Sequence, residues 1–366
     1  MAKHNAANTR IKREYFDYLK EAMRRDEASI DQVAKALSRF EAATGYKDFK
    51  KFHREQAKAF KHRLDKETNT RTGKPLARAT VHSTLSALRA FFIWLAGQPG
   101  YKSRIAYADA DYFNLSEKDV RVANAKREKP VPTLEQVHHV INSMPAETDI
   151  EKRNRALIAL AVLTGARAGA LASLKLKHLD LEQGSIFQDA RDVNTKNSKT
   201  FTTWFCPVGG DARSIVTDWC EHLRTVLMWS EDDPLFPKTA IGLGKEGGFE
   251  AVGLERGHWS STGPIRAIYK AAFSAAGLPY FNPHCFRDTL VQLGERICTT
   301  PEQFKAWSQN IGHESVLTTF TSYGTVPAAR QAELIRGLGE ERDGGDDAER
   351  MAALFGEFLR NRGGSF

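Results

Sequence analysis

Cysteine is scarce in this chain of 366 residues: four are present, Cys206, Cys220, Cys285 and Cys298. None forms a Cys-x-x-Cys pair, so the sequence suggests neither a zinc site nor a disulfide framework, and reduced, mostly buried thiols are expected. Long apolar runs are missing too. The longest strictly apolar stretch, Ala156 to Leu163, is far shorter than the roughly 20 residues of a membrane-spanning helix. The opening Met-Ala-Lys-His-Asn lacks the apolar core of a secretory signal. No internal repeat is visible. A cytoplasmic protein with no membrane partner is expected.

What is present is an uneven charge. The net charge is +8 and the pI about 9.2. Residues 1–129 hold 28 Lys and Arg against 16 Asp and Glu, a net of +12, which leaves −4 for residues 130–366. A polyanion suits such a basic first third, because each neutralised phosphate releases condensed counterions. A plain solvated basic surface would look the same by charge alone.

The first third reads as helical. Between Phe49 and Leu64 the residues Phe49, Phe52, Phe60 and Leu64 fall within one third of a helical wheel, and Lys51, Arg54, Lys58 and Lys61 fall opposite. One helix with a buried face and a basic stripe is therefore expected. A second helix has Thr80 as N-cap, an apolar face of Val81, Leu85, Leu88, Phe92 and Leu95, and Gly97 as its stop, with Arg78, His82 and Arg89 on another flank. Such flanks are candidate groove or backbone contacts. Arg121 to Lys129, ended by Pro130 and Pro132, lacks apolar periodicity and reads as a basic linker whose Lys126, Arg127 and Lys129 could follow a phosphate backbone.

Beyond the linker, Thr133 caps a new helix, and Leu157 to Leu174 is helical around a break at Thr164-Gly165. Ser185 to Phe187 and Thr200 to Pro207 are strand-like and flank the polar Asn194 to Ser198, which predicts a hairpin with a lysine-bearing turn. Helices resume around Ser214 to Met228. The glycine-rich stretch Ile241 to Ser261 has no period and reads as a loop insertion.

The densest chemistry lies in Asn282-Pro-His-Cys-Phe-Arg-Asp-Thr289, followed by Ile311-Gly-His-Glu314 and by Tyr323, ten residues past that second histidine. Two imidazoles, a guanidinium and a phenol so grouped suit chemistry on a phosphate. Little is needed there beyond positioning and neutralising charge on the equatorial oxygens, and planar guanidinium groups hold two oxygens at once. Alone, each residue has a plain structural use: Arg167 in a surface ion pair, His313 at a helix end, Tyr323 in a core. With Thr164-Gly-Ala-Arg167 and Thr195-Lys-Asn-Ser-Lys199 upstream, the order Arg, Lys, His-x-x-Arg, Gly-His, Tyr resembles the tyrosine recombinase (phage integrase) family, in its simple two-domain form.

The resemblance implies a mainly α protein with a small β-sheet: a helical, SAM-like core-binding domain over 10–118, a basic linker over 119–132, a mixed α/β catalytic domain over 133–339, and a tail over 340–366 with an amphipathic helix. It implies that Arg167 and Arg287 clamp the non-bridging oxygens, that His284 and His313 hydrogen-bond the same phosphate, and that Tyr323 is the nucleophile. Lys196 would be the acid that protonates the departing 5′ oxygen, with Lys199 its rival or a contact to DNA. The carboxylate that commonly follows the first arginine by three residues is replaced by Ala170, so another group must orient Arg167. The implied partner is double-stranded DNA, bound by a homotetramer on two sites. The phosphotyrosine bond retains the energy of the broken one, so no metal and no cofactor is expected. A type IB topoisomerase shares this cationic set and nucleophile, and a non-catalytic DNA-binding regulator on the same scaffold is the rival from another class.

Overall fold

The computed structural model describes residues 4–70, 72–125, 130–243 and 247–312. The chain divides into two compact units, Met1–Arg127 and Glu128–Phe366. The first is all helical: α1 (Ala6–Asp17) runs into a π-helical turn (Tyr18–Ala22), then α2 (Glu27–Ala43), α3 (Arg54–Lys66), α4 (Arg78–Ala96), a 3-10 segment (Tyr107–Phe113) and α5 (Glu117–Asn124). Its core is a cluster of phenylalanines. Phe40 sits edge-on to Phe60 and Phe92, with ring centroids 5.3 Å away in each case, and Phe52 stacks on Phe92 at 3.8 Å.

Burial of the Phe52 ring explains one departure from expectation. A short 3-10 turn at Phe49–Lys51 precedes an extended Phe52 and His53, and α3 starts only at Arg54. The side chain of Gln56 accepts the His53 amide hydrogen at 3.3 Å and starts the new helix. Lys51 therefore stands on a separate turn and not on the stripe of α3. The second helix begins at Arg78, not after Thr80. Ala77 is its N-cap, and the amides of Thr80 and Val81 both donate to the Ala77 carbonyl. The expected apolar face of α4 is buried throughout, and Gly97 does end the helix. The supposed linker loses its first residues to α5, which continues to Asn124.

A buried polar knot ties α1 to α2. Asn8, fully buried, donates to Glu41 Oε1 (3.2 Å) and to the Lys47 carbonyl (3.0 Å), and its oxygen accepts from the Phe49 amide (2.9 Å). Lys12 completes it with a 2.5 Å ion pair to Glu41. Asn8→Ala should destabilise the protein by about 2–3 kcal/mol, because it strands a buried amide, a carbonyl and part of a carboxylate at once. Urea unfolding of the full chain checks this, and an unchanged midpoint would show the knot to be dispensable.

In the second unit, α6 (Leu134–Ser143) opens with the Thr133/Gln136 capping box, and α7 (Asp149–Thr164) runs through its centre. Every residue of α7 from Ala156 to Thr164 is buried, which is why that stretch reads as apolar without amphipathic contrast. Around it lie α8 (Ala168–Leu171), α9 (Ala212–Thr225), α10 (Gly263–Ala275), α11 (Cys285–Ile297) and α12 (Pro301–Asn310). A small antiparallel sheet of β1 (Leu179–Asp180), β2 (Ser185–Gln188) and β3 (Phe201–Trp204) pairs Ser185 with Trp204 and Gln188 with Phe201. The expected hairpin is thus present, with residues 189–200 as its loop.

The stretch expected to be a structureless insertion is instead a second antiparallel hairpin, β4 (Lys238–Leu243) with β5 (Phe249–Glu255). Its strand pattern is hidden by a bulge at Ala240/Ile241, by interspersed glycines, and by the exposure of Ile241, Leu243 and Phe249, so no buried face exists to impose alternation. Its root is fixed. The buried Arg153 donates to the Pro237 carbonyl (2.8 Å) and Thr239 Oγ1 (3.0 Å) and lies 5.0 Å over the Trp259 ring; burial lowers its pKa to about 10. Among the described residues no helix is long and apolar enough to cross a membrane.

Candidate active site

Three stretches distant in sequence meet at one side chain. Asn282 sets the start of α11: its side-chain oxygen accepts the His284 amide hydrogen at 3.0 Å, and its carbonyl accepts from Cys285 at 3.0 Å. His284 caps the helix in right-handed geometry, and the Arg287 amide donates to its carbonyl at 3.0 Å. The two lie one turn apart, as expected for His-x-x-Arg. Their surroundings differ, however: His284 is exposed, whereas Arg287 is only 2% exposed. Burial follows from what Arg287 holds. Its Nη1 donates to the carbonyl of Gly165 at 2.7 Å, and its Nη2 donates to the carbonyl of Ile311. One guanidinium thereby brackets the Thr164-Gly-Ala-Arg167 turn and the Ile311-Gly312 turn onto α11. Nε and one hydrogen on each terminal nitrogen remain beyond these two bonds.

The arginine turn needs glycine. Gly165 ends α7 at φ +59°, and a Cβ there would meet Leu290 Cδ1 at 3.0 Å. Thr164 accepts the Ala166 amide at 3.2 Å, and Arg167, half-buried, then caps α8. Ala170 is buried in that helix's packing face, so no carboxylate stands at its position. On the other side, Gly312 has φ +72° and sits so close to Phe201 that a Cβ there would meet the ring at 2.8 Å. Asn310 fixes this approach by exchanging two bonds with the edge of β3: Trp204 N–H to Oδ1 at 2.7 Å, and Nδ2 to the Trp204 carbonyl at 2.9 Å.

The lysine loop is held on α8 and carries its exposed residues at the tip. The Asn194 amide donates to Ser173 Oγ at 2.8 Å, and the Asn194 carbonyl lies 3.3 Å from a Cβ built on Gly169. Lys196 is exposed at the tip and Lys199 half-buried. Asn197 (φ +59°) and Ser198 (φ +50°) are consecutive non-glycine residues in the left-handed region, a strain that concentrates at functional loops. Asp189, hydrogen-bonded by Arg191, has its pKa lowered to about 2. His258, whose Nδ1 lies 3.2 Å from the Ala172 carbonyl, has its pKa lowered by burial. Burial raises the pKa of Cys206 and Cys220 to about 12.

His313 and Tyr323 lie outside the described residues, as do Lys126, Arg127 and Lys129. In the first unit, the basic residues picked from sequence are largely engaged at home. Arg54 and Lys58 lie 5.8 and 5.2 Å over the Tyr112 ring, and Lys58 also pairs with Glu55 at 2.8 Å. Lys61 donates to the Asn114 carbonyl at 3.0 Å, Arg78 pairs with Asp65 at 2.6 Å, and Arg89 pairs with Asp111 at 2.8 Å. Lys51 is exposed and His82 half-buried. Sequence reasoning missed Asn310, Phe201 and Ser173, which position the motifs, because nothing in their local spacing marks them. Among the described residues no group of three or more His, Cys, Asp or Glu side chains could hold a metal ion.

The model of the phage integrase family matches residues 132–327, more than half of the chain. The tyrosine recombinase XerC of Lactobacillus delbrueckii subsp. bulgaricus is 27% identical over 255 residues, which is 68% of this chain and 72% of that protein. Among solved structures, a lambda integrase (75–356) dimer bound to a COC′ core site aligns with a TM-score of 0.59 at 13% identity, covering 87% of this chain and 96% of the other. The XerH site-specific recombinase bound to a palindromic difH substrate, in a post-cleavage complex, aligns with a TM-score of 0.54 at 18% identity, covering 88% of this chain and 83% of the other.

 These structural likenesses bear on the fold, which is mostly helical with small antiparallel sheets, and the family match bears on the chemistry. On the ordered motifs, their meeting at Arg287 and the match over residues 132–327, the chain belongs to the phage integrase family of tyrosine recombinases, enzymes that cut and rejoin DNA at specific sites.

Proposed function

We propose that this member of the family cleaves one strand at a time through a 3′-phosphotyrosine bond at Tyr323, working as a homotetramer on two double-stranded sites. Tyr323 Oη gives up its proton to His284 and attacks the scissile phosphorus, the bond to the 5′ oxygen breaks, and that oxygen takes a proton from Lys196. Arg167 and Arg287 neutralise the equatorial oxygens while His284 and His313 donate to the same phosphate, and a phenol with an ordinary pKa of about 10 becomes a usable nucleophile in that cationic setting. Residues 10–118 would grip the duplex with the basic residues of α3 and α4, residues 119–132 would follow the backbone as a linker, and residues 133–339 would hold the reaction. The tail, 340–366, where Met351, Leu354, Phe355, Phe358 and Leu359 recur at helical spacing, would dock that apolar stripe on a neighbouring protomer.

The observation that supports this reading best is the pair of hydrogen bonds that Arg287 donates to the carbonyls of Gly165 and Ile311, which draws the first-arginine turn and the turn before His313 to the helix bearing His284. Incubating the protein with fragments of genomic DNA from its source organism, denaturing, and sequencing the DNA that stays attached should recover one short motif joined through its 3′ phosphate. Attached DNA of random sequence would favour a relaxing enzyme of the type IB kind. A complete lack of attached DNA would favour a regulator that only binds.

A further inference from the structure

The exposed tip of the β2–β3 loop depends on an arm, residues 189–194, whose placement is set by charge. Asp192 stands four residues before Lys196. Its carboxylate lies 3.0 Å from Lys177 Nζ and 3.4 Å from Lys175 Nζ, and 3.6 Å from Nε2 of His178. All three belong to the turn after α8, where a 3-10 segment covers Leu176–His178. The His178 ring is 3% exposed, and its Nδ1 accepts the Lys175 amide hydrogen at 3.0 Å, so the proton sits on Nε2 and faces Asp192. Asp232 joins the two lysines from the far side, at 2.9 Å from Lys177 and 3.4 Å from Lys175.

An isolated surface ion pair contributes little to stability, but two lysines shared by two carboxylates restrict where each can go. Hydrogen bonds to Asp232 and Asp192 raise the Lys177 pKa, so the pair stays charged at neutral pH. The remaining bonds of the arm run along the chain or to two hydroxyls: the Val193 amide to the Asp189 carbonyl at 2.7 Å, the Ala190 amide to Thr200 Oγ1 at 3.1 Å, and the Asn194 amide to Ser173 Oγ. Asp192 is thus the arm's charged tie to the turn after α8, and only Val193, Asn194 and Thr195 separate it from Lys196.

We infer that Asp192, held by Lys175 and Lys177, is a positioning residue that sets the reach of Lys196 toward the departing 5′ oxygen. The inference rests on the proposed role of Lys196 as the acid. It acts on one step only, proton donation as the P–O5′ bond breaks, and leaves the attack by Tyr323 untouched.

The test uses the full-length protein and a nicked duplex carrying the recovered site, with either an ordinary scissile phosphate or a 5′-bridging sulfur, which leaves as a thiolate without a proton. Asp192→Ala should slow adduct formation on the ordinary phosphate by about 10- to 100-fold, part of the full contribution of a general acid, yet cleave the sulfur duplex at a rate within about threefold of the unaltered protein. Lys177→Gln, a change at an exposed lysine that should leave folding intact, should give the same pattern to a smaller degree, and Lys196→Ala the same pattern to a larger one. Equal losses on both duplexes, or an ordinary rate for both Asp192→Ala and Lys177→Gln, would overturn the inference. If Asp192→Ala does not fold, Lys177→Gln decides alone. Failure of Lys196→Ala to be rescued would instead strike the lysine's assignment, and a lack of adduct with the unaltered protein would strike the proposed function beneath it.

Discussion

Tyr323→Phe should bind the recovered site as tightly as the unaltered protein and form no covalent adduct with it, a fall in cleavage of about 10⁴-fold or more. The reason is chemical economy. Every other group in the set lowers the barrier by charge or by moving a proton, and each can be partly replaced by water or by its neighbours; the oxygen that becomes bonded to phosphorus cannot. Phenylalanine keeps the ring and loses only the hydroxyl, so binding and folding serve as internal controls. Gel retardation measures the first quantity, and adduct surviving denaturation on a nicked duplex measures the second. A denaturation-resistant adduct at near-ordinary yield would move the nucleophile to another residue and undo the proposed mechanism at its centre.

The second large effect is expected at Arg287, where the charge proposed to act in the chemistry is also a bracket. Arg287→Ala removes two hydrogen bonds from a buried cation to the Gly165 and Ile311 carbonyls and leaves a void between α11 and both turns. Unfolding stability should drop by about 3–5 kcal/mol and cleavage by about 10³-fold or more. Arg287→Lys separates the roles. It keeps the charge, but a single ammonium cannot span two carbonyls as a planar fork does, so stability should still drop by about 2 kcal/mol and cleavage by about 100-fold. Urea midpoints and adduct rates measured on the same preparations check both. A lysine variant close to the unaltered protein in both respects would show that charge alone matters there.

Much of this arrangement was readable from residues close together in sequence. The Thr133 cap, the break at Thr164-Gly165 and the hairpin around Lys196 are local patterns with local physical causes, and the ordered Arg, Lys, His-x-x-Arg and Gly-His motifs carry their own spacing. The errors also have causes. Phe49 to Leu64 looked continuous because its apolar spacing fits a helix, yet burying Phe52 against Phe92 turns the chain at that point. Thr80 was the better capping residue by type, but α4 starts at Arg78, whose guanidinium reaches Asp65 from the first turn. The β4–β5 hairpin is exposed and glycine-broken, so it has no alternation to read. What joins the motifs was out of reach for a different reason: the bond from Arg287 to Gly165 spans 122 residues, and those from Asn310 to Trp204 span 106. Such pairs leave no periodic trace.

Of the six tryptophans, Trp94 is the only one in residues 1–127; Trp204, Trp219, Trp229, Trp259 and Trp307 all belong to the second unit. Trp94 lies 4.8 Å from the Tyr15 ring and 5.9 Å from that of Tyr18, against the aromatic core of the first unit. Indole emission responds to such neighbours and to water. Subtracting the spectrum of a Trp94→Phe protein would therefore isolate the light from one unit, and its melting could be followed apart from the other's without cutting the chain. The first unit carries its own optical label, a single indole whose quenching reports whether that phenylalanine-rich core is closed.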